Sequence, residues 1–182
     1  MRTILALSFL SSLLFLNTGC MTAAKRVLKE GKGASSKAEP VPGTAGGSFA
    51  RYKSVQIVPP RTNLGGLVSS EFKSHLVTAM REELVNDEDA MFKGGSPTLT
   101  IEPEIMWYHR GGIGGVMPEK FVVALFWLKE GNSEVGRVQI VTKSEATRTG
   151  DDDLAESMAA GLAKFFGKVT KEEAKEKKKA AS

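Results

Sequence analysis

Phe121-Val122-Val123-Ala124-Leu125-Phe126-Trp127-Leu128 is an unbroken run of eight apolar residues. Its length and its β-branched and aromatic content favour a central strand over a helix. Split by the two-residue period of a strand, it gives two apolar faces: Phe121, Val123, Leu125 and Trp127 on one, Val122, Ala124, Phe126 and Leu128 on the other. Everything else in the chain must supply what those faces rest against.

Downstream, Lys129-Glu130-Gly131-Asn132-Ser133 is a turn, and residues 135–147 read as the next strand. Upstream, Leu99, Ile101, Ile105, Trp107 and His109 alternate with Thr100, Glu102, Glu104, Met106 and Tyr108. This predicts a strand in which Pro103 requires an edge position or a bulge. Gly111-Gly112-Ile113-Gly114-Gly115 joins that strand to the apolar run. Further upstream, residues 52–58 alternate and stop at Pro59-Pro60, a first strand. Leu64, Val68, Phe72, Leu76, Met80 and Leu84 then recur every fourth residue, one face of a helix with Thr62 or Asn63 as its N-cap.

After Gly150, Asp151-Asp152-Asp153 opens a second helix, where carboxylates suit free N–H groups and the positive dipole end. Leu154, Met158, Leu162, Phe165 and Val169 form its apolar face. From Lys171 the chain is Lys, Glu and Ala, a solvated extension or tail. The expected fold is α/β of the α+β kind. It has a single mixed, mostly antiparallel sheet of four to five strands, packed by two helices over residues 49–167, with a charged tail at 168–182. Two helices cover one face of such a sheet, so the second face is covered by other segments or is an exposed binding patch.

The first 48 residues read differently. Ile4 to Leu16 is a 13-residue apolar stretch after Arg2. That is too short to span a bilayer and fits a signal-peptide core. Asn17-Thr18-Gly19-Cys20 follows and resembles a lipobox, with Asn17 where Leu is usual. The resemblance implies cleavage after Gly19, residues 1–19 being the leader, and acylation of the Cys20 thiol. The alternative is an ordinary signal peptide cut nearby, for example after Ala24. Cys20 is the only Cys in 182 residues, so its acylation leaves no thiol for disulfide or metal chemistry. Met21, rather than Asp, follows it, which by resemblance to enterobacterial sorting favours the outer membrane. Residues 20–48 read as a flexible tether, because Gly, Ser, Ala and Pro occupy 13 of the 18 positions from Gly31 to Ser48.

The formal charge of +4 is unevenly spread. Residues 20–50 carry +3, residues 51–163 carry −4 and residues 164–182 carry +4. The body is mildly acidic between basic ends. No basic face with interleaved aromatics is visible, so nucleic acid is not an expected partner.

Catalytic patterns are sparse. The glycine loop leads into a strand, not a helix N-terminus, so a phosphate cradle is disfavoured against a hairpin loop. Glu71 and His75 stand at i, i+4, and His109 ends a strand; a metal site or an enzyme needs all three to converge. No serine sits in a nucleophile elbow beside a partnered base. No catalytic residue, metal or cofactor is assigned, and the chain is not read as an enzyme.

The order strand, long helix, meandering strands with a glycine-rich connection, terminal helix resembles a family of bacterial lipoproteins of unknown function. Their α/β domain is similar to those of CsgG, LpoB and the TolB N-terminal domain. The residues carrying this are 52–59, Gly111 to Gly115, 121–128 and 153–167. The turn at Glu130-Gly131-Asn132 departs from the Asp-x-x-Thr-Gly pattern expected there. The resemblance implies an envelope binding or assembly accessory and not a catalyst. With the lipobox-like residues and the second sheet face, the expectation is a periplasmic protein held to the bilayer through Cys20 and acting by protein–protein contact or self-association. The competing function is a small-ligand or cell-wall-glycan binding module. In either case Trp107, Tyr108, Gly111, Gly112, Gly114, Gly115 and Trp127 are the candidate interaction surface.

Overall fold

A computed structural model describes residues 33–43, 48–86, 90–111, 120–144 and 149–180. The leader, Gly19, Cys20, and Gly112, Gly114 and Gly115 lie outside the described residues. The fold is a mixed sheet with two helices on one face. Its strands are β1 (Ala34–Pro40), β2 (Ser54–Ile57), β3 (Arg61–Thr62), β4 (Thr98–His109), β5 (Phe121–Glu130) and β6 (Ser133–Ser144). The helices are α1 (Ser70–Arg81) and α2 (Asp151–Ala180). The order across the sheet is β1-β6-β5-β4-β2, with β3 also on β4. β2 and β3 run parallel to β4, and the other pairs are antiparallel.

β5 is central, as its composition predicts. Val122, Ala124, Phe126 and Leu128 are fully buried under the helices, while Phe121, Val123, Leu125 and Trp127 are half-buried on the other face. Burying each large apolar side chain contributes about 1.5–3 kcal/mol, so the Phe126 face supplies most of what holds the sheet to its helices. The facing layer is Phe72, Leu76 and Met80 from α1 and Leu154, Met158, Leu162 and Phe166 from α2, all fully buried.

Pro103 sits at an interruption in the pairing rather than at a sheet edge. Ile57 pairs with Ile101 and Arg61 with Glu104, so residues 58–60 bulge past Glu102 and Pro103. A residue without an N–H costs least where the ladder is already broken.

Three expectations need correction. The helix expected from Thr62 or Asn63 starts at Ser70, because Gly65 takes φ +56° and Gly65–Leu67 forms a separate 3-10 turn. Ser69 is the N-cap, its Oγ accepting from the Phe72 N–H at 3.0 Å. Leu64 and Val68 still pack on the core, so their four-residue spacing predicts the burial but not the helix start.

The second correction concerns the expected tether. Residues 34–40 are an edge strand, paired from Ala34↔Ser144 to Pro40↔Val138. The small residues that suggested disorder permit a close approach to α2. A Cβ on Gly161 would stand 2.9 Å from Ser36 Cβ. Ser36 Oγ lies 2.6 Å from Thr142 Oγ1 and 2.9 Å from Ser157 Oγ. The third concerns the tail: α2 continues to Ala180 through good helix formers, and Glu173 accepts from Ser48 Oγ at 2.6 Å and the Phe49 N–H at 3.2 Å.

Candidate functional site

Both helices lie on the Phe126 side of the sheet, and no described element covers the other side. The decisive local feature is a bulge in β4. Ile105 pairs with Ala124 and Trp107 with Val123, leaving Met106 as an extra residue. An extra residue inverts the alternation beyond it. Simple alternation places Trp107 and His109 with Ile105. Instead, Tyr108 enters the core at 8% exposure, and Trp107 stands 54% exposed on the open face.

The open face reads as cross-strand rows. The row nearest the start of β1 holds Lys143, Phe121 and His109. The next holds Lys37, Val141, Val123 and Trp107, and a third holds Glu39, Gln139, Leu125 and Glu104. Arg137 lies opposite Trp127 in the fourth. Apolar side chains therefore fill the centre, while Phe121 lies between Lys143 and His109 at the β1-start end. Trp107 stacks on Phe121 with ring centroids 6.4 Å apart at 18°, and His109 tilts against Phe121 at 5.9 Å.

The far end is charged and internally paired. Trp127 Nε1 donates to Glu104 Oε2 at 3.0 Å, and Arg61 donates to the same oxygen at 3.0 Å. The Trp127 hydrogen bond, and then Arg61, hold the Glu104 carboxyl below the usual carboxylate range against the opposing effect of burial. Arg137 lies 3.9 Å over the Trp127 ring and Arg61 5.7 Å over it. Arg137 Nε also donates to Glu134 at 2.6 Å, and Lys129 Nζ to Glu102 at 2.6 Å.

Sequence expectations divide accordingly. Trp107 and Trp127 share the open face, but Tyr108 belongs to the opposite side, its ring edge-on to Phe72 at 5.3 Å. Gly111 follows β4 with φ +81°, a conformation that favours glycine. His75 is on the exposed side of α1, 3.7 Å from Glu71, whereas His109 is on the open sheet face. Among the described residues no group of three His, Cys, Asp or Glu is placed to hold a metal ion. Arg61, Glu104 and Arg137 were not singled out from the sequence. The alternation of Val138 and Ile140 with Arg137, Gln139 and Val141 is the signal that places Arg137 outward. At the start of α2, Asp153 accepts from the Gly150 N–H at 2.7 Å, whereas the Asp151 carboxylate accepts from Tyr108 Oη at 2.6 Å and from Ser69 Oγ at 3.0 Å.

No family model matches this chain, and no curated protein matches it. Among solved structures it is similar to the PelC dodecamer from Paraburkholderia phytofirmans, with a TM-score of 0.46 and 16% identity. A single-substitution variant of that dodecamer gives 0.45 and 17%. Each match covers 71% of this chain and 95% of the other.

Proposed function

We propose that this chain is a lipid-anchored envelope protein of the periplasm, no enzyme but a binding or assembly accessory whose open sheet face docks a protein partner. The observation that carries the reading is the apolar centre of that face, which no described element covers, with Trp107 54% and Val141 36% exposed beside half-buried Val123 and Leu125. A contiguous apolar patch of this kind on a folded domain is a contact surface in want of a partner. Residue types fit: Trp and Phe dominate the energetics of protein interfaces, and the paired charges around them form a polar rim. Attachment through Cys20 at the outer membrane belongs to the same proposal and rests on the lipobox-like residues.

The glycan-binding alternative needs aromatic faces free to stack on sugar rings. Arg137 and Arg61 already engage Trp127, and Trp107 gives one side to Phe121. One exposed indole, stacked on Phe121 beside Val123, Leu125 and Val141, fits protein better than sugar.

Photo-crosslinking in native cells tests this. A crosslinking residue placed at Trp107 or Val141 is expected to yield discrete protein adducts, and one at exposed Ser74 on α1 none. Adducts equally frequent from both faces, or from neither, would overturn the proposal.

A further inference from the structure

The open face has a direction relative to the point where the chain enters the fold. β1 begins at Ala34 beside Ser144, next to the row of Lys143 and Phe121. Only residues 21–33 separate Cys20 from β1, and 13 residues span at most about 45 Å. With an anchor at Cys20, the Phe121 row is the end of the sheet nearer the bilayer. Its strands then lead away from the membrane, and the open face looks sideways along it.

We propose that the occupant of this face is a second copy of the chain anchored in the same leaflet, an inference that rests on the docking reading above. Three features select a copy. A twofold axis along the strands, and so along the membrane normal, keeps both anchors at the same end and both faces at the same height. That axis sets β5 against the partner's β5, and Val141 against the row end that carries the partner's Trp107, so apolar meets apolar. The charges at the far end are already neutralised within one chain, Arg61 by Glu104 and Lys129 by Glu102 at 3.0 and 2.6 Å. Such a face offers little to steer an oppositely charged partner and matches a surface as neutral as itself. Size agrees: five strands about 4.8 Å apart and nine residues at about 3.3 Å give a face of roughly 700 Å². A standard interface takes about 800 Å² per partner.

The test uses the chain from Met21 to Ser182, which keeps every described residue and contains no Cys. Val123→Cys, Leu125→Cys and, as the control on α1, Ser74→Cys are treated with a short bismaleimide that spans the roughly 10 Å between stacked sheets. Light scattering over a hundred-fold concentration range accompanies it, with circular dichroism checking that each variant is folded. The expected result is a concentration-dependent dimer, with residues 123 and 125 each self-linking at least about ten-fold more than residue 74. Both lie on the proposed axis, so both must link. Linking at only one indicates an antiparallel pair with anchors at opposite ends and overturns the inference. So does a monomer at every concentration with no excess linking. Val141→Lys then separates the two readings. If the chain is monomeric but Val141→Lys abolishes the Trp107-site adducts in cells, docking stands and the second copy falls. If there are no adducts to abolish, both fall.

Discussion

The Tyr108 hydroxyl donates to the Asp151 carboxylate at 2.6 Å, tying the end of β4 to the first residue of α2. Ser69, the N-cap of α1, donates to the same carboxylate at 3.0 Å, so one Asp joins three elements. Burial, and then the Asp151 carboxylate, push the Tyr108 phenol well above its ordinary range. A raised pKa means the neutral form is favoured by folding. The stabilisation is therefore complete below the unfolded value of about 10 and declines as pH rises above it. Tyr108→Phe is expected to cost about 1.5–3 kcal/mol in urea denaturation at pH 7, the range of a hydrogen bond to a charged group. Between pH 9 and 11 the wild type should lose more stability than the variant. Equal losses would show that the phenol is not linked to folding.

Gly161→Ala tests the contact between α2 and β1. The added Cβ would meet Ser36 Cβ at 2.9 Å, so either β1 moves outward or the helix shifts. Overpacking of this kind costs about 1–3 kcal/mol. Hydrogen exchange should accelerate first in residues 34–40, with the β4–β5 ladder unaffected. A chain begun at residue 49, as composition alone recommends, lacks β1 and should be less stable than one begun at residue 21. Equal midpoints would mean that β1 contributes nothing to the fold.

What the sequence made legible follows from range. The β5 run, the α1 and α2 faces and the turn at Gly131 are set by local pattern, and the α+β sheet with two helices follows from them. Residues 34–40 carry no strand signal of their own, because Ala and Ser bury little area. Their place depends on Gly161, more than a hundred residues away. Two helices are too few for two sheet faces, which leaves the second face either covered by other segments or open, and pattern alone does not choose between them. Which aromatics occupy that face depended on one extra residue, Met106, whose bulge leaves no mark on the alternation until the partner strand is known. The Trp127, Arg61 and Glu104 cluster joins three strands, and no single window of sequence contains it.

Glu104 provides the acid-side counterpart to Tyr108. Its carboxyl is held low by the Trp127 N–H first and Arg61 next. A lowered pKa contributes stability above the unfolded value, about 4.3, that is lost as pH falls below it. The wild type should therefore lose more stability between pH 5 and 3 than Glu104→Gln does. Trp127→Phe, which keeps the ring but not the N–H, should shrink that acid loss and bring the Glu104 titration, followed by carboxyl NMR, closer to its ordinary value. An unchanged titration would assign the shift to Arg61 instead.

Cys20→Ser tests the address. Acylation at Cys20, as proposed, would place two or three chains in the bilayer, each methylene contributing about 0.8 kcal/mol, enough for stable retention without a spanning segment. None of the described helices is long and apolar enough to cross a membrane. Loss of the thiol should therefore move the chain from the membrane to the soluble fraction, unless its leader remains uncut. Mass spectrometry separates those cases. A soluble chain cut near residue 20 is the expected product, and an uncut chain held by residues 4–16 would still show that Cys20 directs processing. A variant that is cut normally and stays on the membrane would remove the lipid anchor from the proposal. Retention would then have to come from another part of the chain.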